Sequence, residues 1–236
     1  MKHIASLLLL ALSMGLASPM FAQNELPTCL PIMRVTGDEY VDAETSSYDG
    51  NAPMYAVFEA NPQNVGDYEP LFEWRFSRQN EQTPFLVRYD ENTTYDFTKS
   101  GSFDIELRVS FVMGNDTIHF TQDTPFSVSI AESRLEVPNA FTPNGDGTND
   151  EFIIKEESYE SIVEFHAMIF SRSGKKLYEW HDRTKGWDGR SGGHECPDGA
   201  YYLNIQAKGA DGHVYNIRKT INLLRTFQPN SGGVDN

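Results

Sequence analysis

The sequence predicts an all-β protein made of two consecutive antiparallel β-sandwiches, and three observations carry that expectation. Apolar residues recur with period two over several segments, helical periodicity is nearly absent, and clusters of Gly, Asn, Asp and Pro interrupt the chain at short intervals. A chain of 236 residues with 39% hydrophobic and 12% aromatic residues has the means to build a core in each of two domains.

The amino terminus, MKHIASLLLLALSMGLASPMFAQN, sets Lys2 and His3 ahead of an apolar run from Ile4 to Leu16 and offers a cleavage position after Ala22. This pattern predicts an export signal peptide over residues 1–22. No later segment approaches the roughly 18 consecutive apolar residues of a membrane helix, so no transmembrane segment is expected in the mature chain. A formal charge of −15 argues against a nucleic-acid or anionic-membrane partner. The two cysteines, Cys29 and Cys196, stand at opposite ends of the mature chain. In an oxidising compartment they could form a disulfide, or they could remain two unrelated thiols.

Within residues 23–131 the clearest strand is SFDIELRVSF. Phe103, Ile105, Leu107, Val109 and Phe111 alternate there with Ser102, Asp104, Glu106, Arg108 and Ser110, giving one apolar and one wet face. FSVSI repeats the pattern through Phe126, Val128 and Ile130, while APMYAVFEA and FEWRF supply shorter aromatic and branched runs. SSYDGNAP, NPQNVGDYEP and TKSG separate them as turns. YDGNAPMYAVFEANP, FEWRF and TTYDFTKSGSFDIELRV together resemble the PKD type of immunoglobulin-like domain. The family's WDFGDG turn is replaced by SRQNEQTP, so the resemblance implies the fold and no loop function. Trp74 is expected as a core anchor.

AESRLEVPNA forms a polar connection, and a second module is expected over 132–225, followed by a polar tail at 226–236. VEFHAMIF places Val163, Phe165, Ala167 and Ile169 on one face, AYYLNIQA does so with Tyr201, Leu203, Ile205 and Ala207, and YNIRKTINLL with Tyr215, Ile217, Ile221 and Leu223. Lys219 is the exception on that last face. Asp-Gly pairs begin at Asp146, Asp188, Asp198 and Asp211, each at an expected turn, because both residues tolerate the left-handed backbone.

Chemistry is sparse. His119, His166, His181, His194 and His213 are scattered and none belongs to a metal-binding HExxH pattern. In GGHECPDG an imidazole and a thiol lie two residues apart, at His194 and Cys196, and on an extended chain they would point the same way. No orienting partner or oxyanion feature accompanies them, so no enzyme is expected. TPNGDGTND has the composition of a calcium loop, with Asn144, Asp146 and Asp150 as the ligand set. Aligned on Gly147, however, the loop lacks an acid at its first position, Thr142, and its twelfth is Ile153. Calcium and plain turn chemistry both remain open for these residues.

VPNAFTPNGDGTNDEF, IFSRSGKKLYEW, GWDGR, CPDGAYYLNIQAKGADG and INLLR, in that order from about Leu135 to Arg225, resemble the gliding motility-associated C-terminal domain. This is the type B sorting domain of the type IX secretion system of Bacteroidetes. The resemblance implies a non-enzymatic exported cargo, recognised by the outer-membrane machinery and placed at the cell surface or released. Its PKD-like module would contact a surface protein or glycan. It also implies that the loops Phe141, Thr142, Pro143, Asn144, Gly145, Asp146, Gly147, Asn149, Asp150 and Gly186, Trp187, Asp188, Gly189 form the sorting surface. Two other expectations stand beside it: a periplasmic or outer-membrane-associated assembly protein using the same modules, and a calcium-dependent adhesin. Asp116, Thr117 and Ile118 match a short O-glycosylation motif of the phylum.

Overall fold

A computed structural model describes residues 25–36 and 42–226 of the chain. The signal-peptide reading and the tail beyond Thr226 lie outside the described residues.

The alternating segments become strands as their patterns dictate. In Gly101–Met113, Phe103, Ile105, Leu107, Val109 and Phe111 are all buried and the polar residues between them face outward. That strand pairs along its length with Glu69–Arg78, in which Phe72, Trp74 and Phe76 supply the same inward face. Phe126–Ile130 and Asp116–Thr121 lie end to end along its other edge, and Leu86–Arg88 and Ser47–Gly50 complete the sheet, the latter as a parallel neighbour of Phe126–Ile130. Opposite stands a second sheet in the order Ala43–Thr45, Ile32–Thr36, Met54–Glu59, Asn92–Phe97. Met33, Met54, Ala56 and Phe58 project from it into the same core. Phe58 packs at 5.7 Å from Trp74 and 5.4 Å from Phe76, closing the two sheets on an aromatic centre. Trp74 satisfies its indole N–H on the Glu91 carbonyl at 3.1 Å, so its burial leaves no donor stranded.

The second module holds a five-stranded sheet in the order Ala140–Phe141, Val214–Leu223, Gly199–Gly209, Ile162–Phe170, Lys176–Trp180, with the first pair parallel. Its second layer is assembled from short pairings: Arg134–Leu135 with Tyr159–Glu160, Arg190–Ser191 with His194–Glu195, and a bridge between Phe152 and Trp187. Loops rather than long strands therefore cover one face of this core.

Two details refine the expected faces. A register shift between Ile162 and Glu164 places Ile162 in the core, and Val163 packs instead against the first module's core. Lys219 is accommodated because its ammonium reaches the Val137 carbonyl at 2.8 Å.

No named sheet is shared by strands from both sides of residue 131, yet the modules touch. The Ala52 N–H donates to Ser161 Oγ at 3.1 Å, the Ser100 N–H donates to the Ala210 carbonyl at 3.1 Å, and Ala210 is buried among first-module residues.

Of the two readings of the cysteines, the structure shows unpaired thiols and no disulfide. Cys29 and Cys196 are free thiols, each buried in the core of a different module, so neither presents sulfur to the other. Burial, with the Glu91 carboxylate adding to it, pushes the Cys29 thiol up to about 11.

Candidate functional site

The segments separated in sequence converge at one end of the second module. Phe141 ends the short parallel strand and packs 5.9 Å from Phe152 and 5.4 Å from Trp187. Trp187 is fully buried and lies 5.1 Å from Tyr201, so the aromatic residues of three motifs form one cluster. Two backbone hydrogen bonds lock the motifs together: the Phe152 N–H donates to the Trp187 carbonyl at 2.8 Å, and the Trp187 N–H returns to the Phe152 carbonyl at 3.1 Å. The Trp187 indole N–H donates to the Arg190 carbonyl at 2.7 Å. Gly186 is required by this approach, since a Cβ there would stand 2.6 Å from the Phe152 carbonyl oxygen.

The 142–150 loop is organised around its own carboxylates. Asp150 accepts the backbone N–H groups of Gly145 at 2.7 Å and Gly147 at 2.8 Å, one on each oxygen. Both glycines have left-handed φ, +81° and +84°, which turns their N–H groups inward as a nest for an anion. Asp146 accepts the Thr148 N–H at 2.8 Å and the Asn144 side-chain amide at 2.9 Å, and the Asn144 oxygen accepts the Asp146 N–H at 3.1 Å. The Asn144 amide, followed by the Thr148 N–H, holds the Asp146 carboxyl below the usual range. The oxygens of Asp146 and Asp150 thus accept N–H donors of the loop, the turn chemistry expected of these residue types.

Arg225 joins the pieces. Its guanidinium donates to the Pro143 carbonyl at 2.7 Å and to the Gly189 carbonyl at 3.5 Å, and stands 3.7 Å from the Glu195 carboxylate. Asp198 accepts the Arg225 N–H at 2.9 Å and both the N–H and hydroxyl of Thr226, at 3.1 and 2.8 Å. The Thr226 hydroxyl is the main influence holding the Asp198 carboxyl low. Asp188 caps its own turn by accepting the Arg190 N–H at 2.9 Å. Of the sorting-loop residues, Phe141, Pro143, Trp187 and Gly189 are buried, while Asn144 to Asn149 are exposed. Arg225 and Asp198 carry the geometry that unites them, and their only trace in the sequence is an arginine closing an apolar strand and an Asp-Gly pair before another.

The alignment of His194 with Cys196 does not survive. His194 is exposed, whereas Cys196 faces the core and burial pushes its thiol up, away from thiolate chemistry. Thr117, in the short glycosylation match, is exposed at the start of Asp116–Thr121, beside an Asp116 carboxylate that accepts the Tyr68 hydroxyl at 2.8 Å. Among the described residues, no helix is long and apolar enough to cross a membrane.

Comparison with known proteins is consistent with this geometry. Residues 135–218 match the CHU_C type IX secretion signal domain, a span that holds all the sorting loops. No curated protein matches the chain. Among solved structures, dimeric latent PorU from Porphyromonas gingivalis aligns at 11% identity and a TM-score of 0.25, covering 86% of this chain. The alignment spans only 21% of the PorU chain. The FN1-FN3 domains of chicken CNTN1 align at 9% identity and a TM-score of 0.25, over 75% of this chain and 65% of that one. The chain therefore carries a type IX secretion signal domain at residues 135–218, set behind a two-sheet β-sandwich.

Proposed function

We propose that this chain is a non-enzymatic cargo of the type IX secretion system, in which the convergent end of the second module is the surface read by the outer-membrane translocon. The observation that carries the reading is the union of the motif loops of the matched domain on its buried Trp187 and on Arg225, which follows the matched residues 135–218. Recognition by a large machine needs a surface that keeps its shape, and a loop cluster anchored by a buried tryptophan and an arginine clamp supplies one. The exposed polar tip of 144–149 is the part of that surface free to be touched. In this reading the immunoglobulin-like module is the passenger that meets a protein or glycan outside the cell, and the chain performs no bond chemistry.

The test is delivery of the full-length tagged chain in a type IX-competent cell, followed by protease treatment of intact cells. Wild type is expected to reach the exterior, and Arg225→Ala, which releases Pro143 and Gly189, is expected to accumulate inside while still folding. Equal export of wild type and a double Arg225→Ala, Asp198→Ala variant would remove the motif end from the role. Protection of the wild-type chain from external protease would favour a periplasmic assembly role.

A further inference from the structure

We propose that His166, Glu179 and His181 form a binding site for a zinc-class divalent transition-metal ion on the open face of the second module's sheet. The three side chains come from neighbouring strands. Ala167 pairs with Trp180 and Met168 with Glu179, so continuing the register by one residue sets His181 opposite His166, with Glu179 diagonal to it on the same face. His166 Nε2 lies 2.7 Å from Glu179 Oε1, and the two imidazole rings stack with centroids 4.3 Å apart and planes 11° from parallel. One ligand atom from each residue can be chosen so that all three lie within 4.8 Å of one another.

A first-row ion sits about 2.0–2.2 Å from imidazole nitrogen and carboxylate oxygen, so converging ligand atoms stand roughly 3–3.5 Å apart. Small side-chain rotations close that gap, because these atoms face solvent and the strands beneath them do not need to move. Ala167, Ile169 and Trp180 point the opposite way into the core and hold both strands in place. Glu179 is already arranged for the task. Its Oε2 takes the Lys176 ammonium, leaving Oε1, beside His166 Nε2, for the site.

The donor set selects the ion. Two nitrogens and one oxygen suit zinc, nickel or copper(II), whereas calcium and magnesium call for oxygen shells and copper(I) for sulfur. The remaining coordination positions face water and accept a solvent molecule or a donor from a second molecule. Because Lys176–Trp180 is the edge strand of its sheet, an ion bound here would fasten that edge to its neighbour and blunt it against pairing with other chains.

Calorimetric titration of the untagged chain with zinc chloride tests the site. One zinc per chain is expected, weakened by at least about tenfold in His166→Ala and in His181→Ala, since even an outer-sphere partner's loss has that effect. The isosteric Glu179→Gln should also weaken zinc, while His119→Ala and His194→Ala should leave it unchanged and calcium chloride should give no heat at this position. Zinc should shift the ring resonances of His166 and His181 together in nitrogen-detected spectra. Unchanged zinc affinity in a folded double His166→Ala, His181→Ala variant, or binding weaker than about millimolar in the wild type, overturns the proposal. Neither outcome depends on whether the chain is exported.

Discussion

Gly186 and Gly192 make the residue-scale argument, because the same substitution meets different obstacles at each. Alanine at 186 drives a Cβ to 2.6 Å from the Phe152 carbonyl oxygen, a backbone atom that cannot yield without opening the Phe152–Trp187 bridge. Gly192 has open space around its missing Cβ and only a left-handed φ of +59° to satisfy. Gly186→Ala is therefore expected to cost about 1–3 kcal/mol by overpacking, and Gly192→Ala about 1 kcal/mol from backbone strain, measured as urea midpoints at constant slope. Only the former should disturb Trp187 fluorescence. The carboxylates of the same region give a pH prediction. Asp146 and Asp198 are held below the ordinary aspartate range by donors that exist only in the folded chain. Their contribution is present above the unfolded value and is lost as pH falls through the lower folded value. Protection of the Thr148 and Thr226 amides, measured relative to their intrinsic exchange rate at each pH, should fall below about pH 4 and hold steady on alkalinisation. The loop's turn character was legible from its glycines and asparagines. The clamp on Pro143 and Gly189 was not, since Arg225 lies 82 residues from Pro143 and nothing in its neighbours announces the contact.

At the scale of the element, the period-two segments became strands because burial on one face and solvent on the other are what that period permits. Gln122 shows where the rule ends. It falls in a turn-like stretch, TQDTP, yet it is buried where Asp116–Thr121 gives way to Phe126–Ile130 along the central strand. Its side-chain oxygen accepts the Leu107 N–H at 3.1 Å, its amide donates to the Thr124 carbonyl at 2.8 Å, and its own N–H donates to the Leu107 carbonyl at 2.9 Å. The side chain thus stands in for the strand residue missing at the join. Gln122→Ala should leave the Leu107 N–H buried without a partner and cost about 1–3 kcal/mol. Gln122→Glu keeps an acceptor for Leu107 but loses the donor to Thr124, so its urea midpoint should fall between wild type and alanine at neutral pH. Equal midpoints for alanine and wild type would remove the ladder role. Composition marks Gln122 as a loop residue, and only the long pairing of Gly101–Met113 with two successive strands reveals why it is buried.

Across the whole molecule, the order of modules was readable from the sequence, but their contact was not. Ser161 is the reason: it is 1% exposed, has a left-handed φ of +44°, and receives the Ala52 N–H from 109 residues away. Its carbonyl accepts the Ala210 N–H, and the Ala210 carbonyl in turn accepts the Ser100 N–H, so one short polar chain runs from the second module into the first. Val163, displaced by the register shift beside it, adds apolar contact to the first module's core. Local periodicity cannot encode such a relay, because each partner is an ordinary polar or small residue in its own segment. Its consequence is cooperative unfolding. Trp74 reports the first core and Trp187 the second, and in the wild type the two are expected to lose native structure in one coincident transition. Ser161→Ala keeps the backbone bond to Ala210 but leaves the buried Ala52 N–H without its acceptor, a loss of about 1–3 kcal/mol placed at the junction. Denaturation followed by near-ultraviolet dichroism for both tryptophans, and by single-tryptophan variants for each, should show the two transitions drawing apart in Ser161→Ala. Coincident transitions at an unchanged midpoint would mean that the Ser161 hydroxyl does not carry the coupling between the modules and sets only the geometry of the junction.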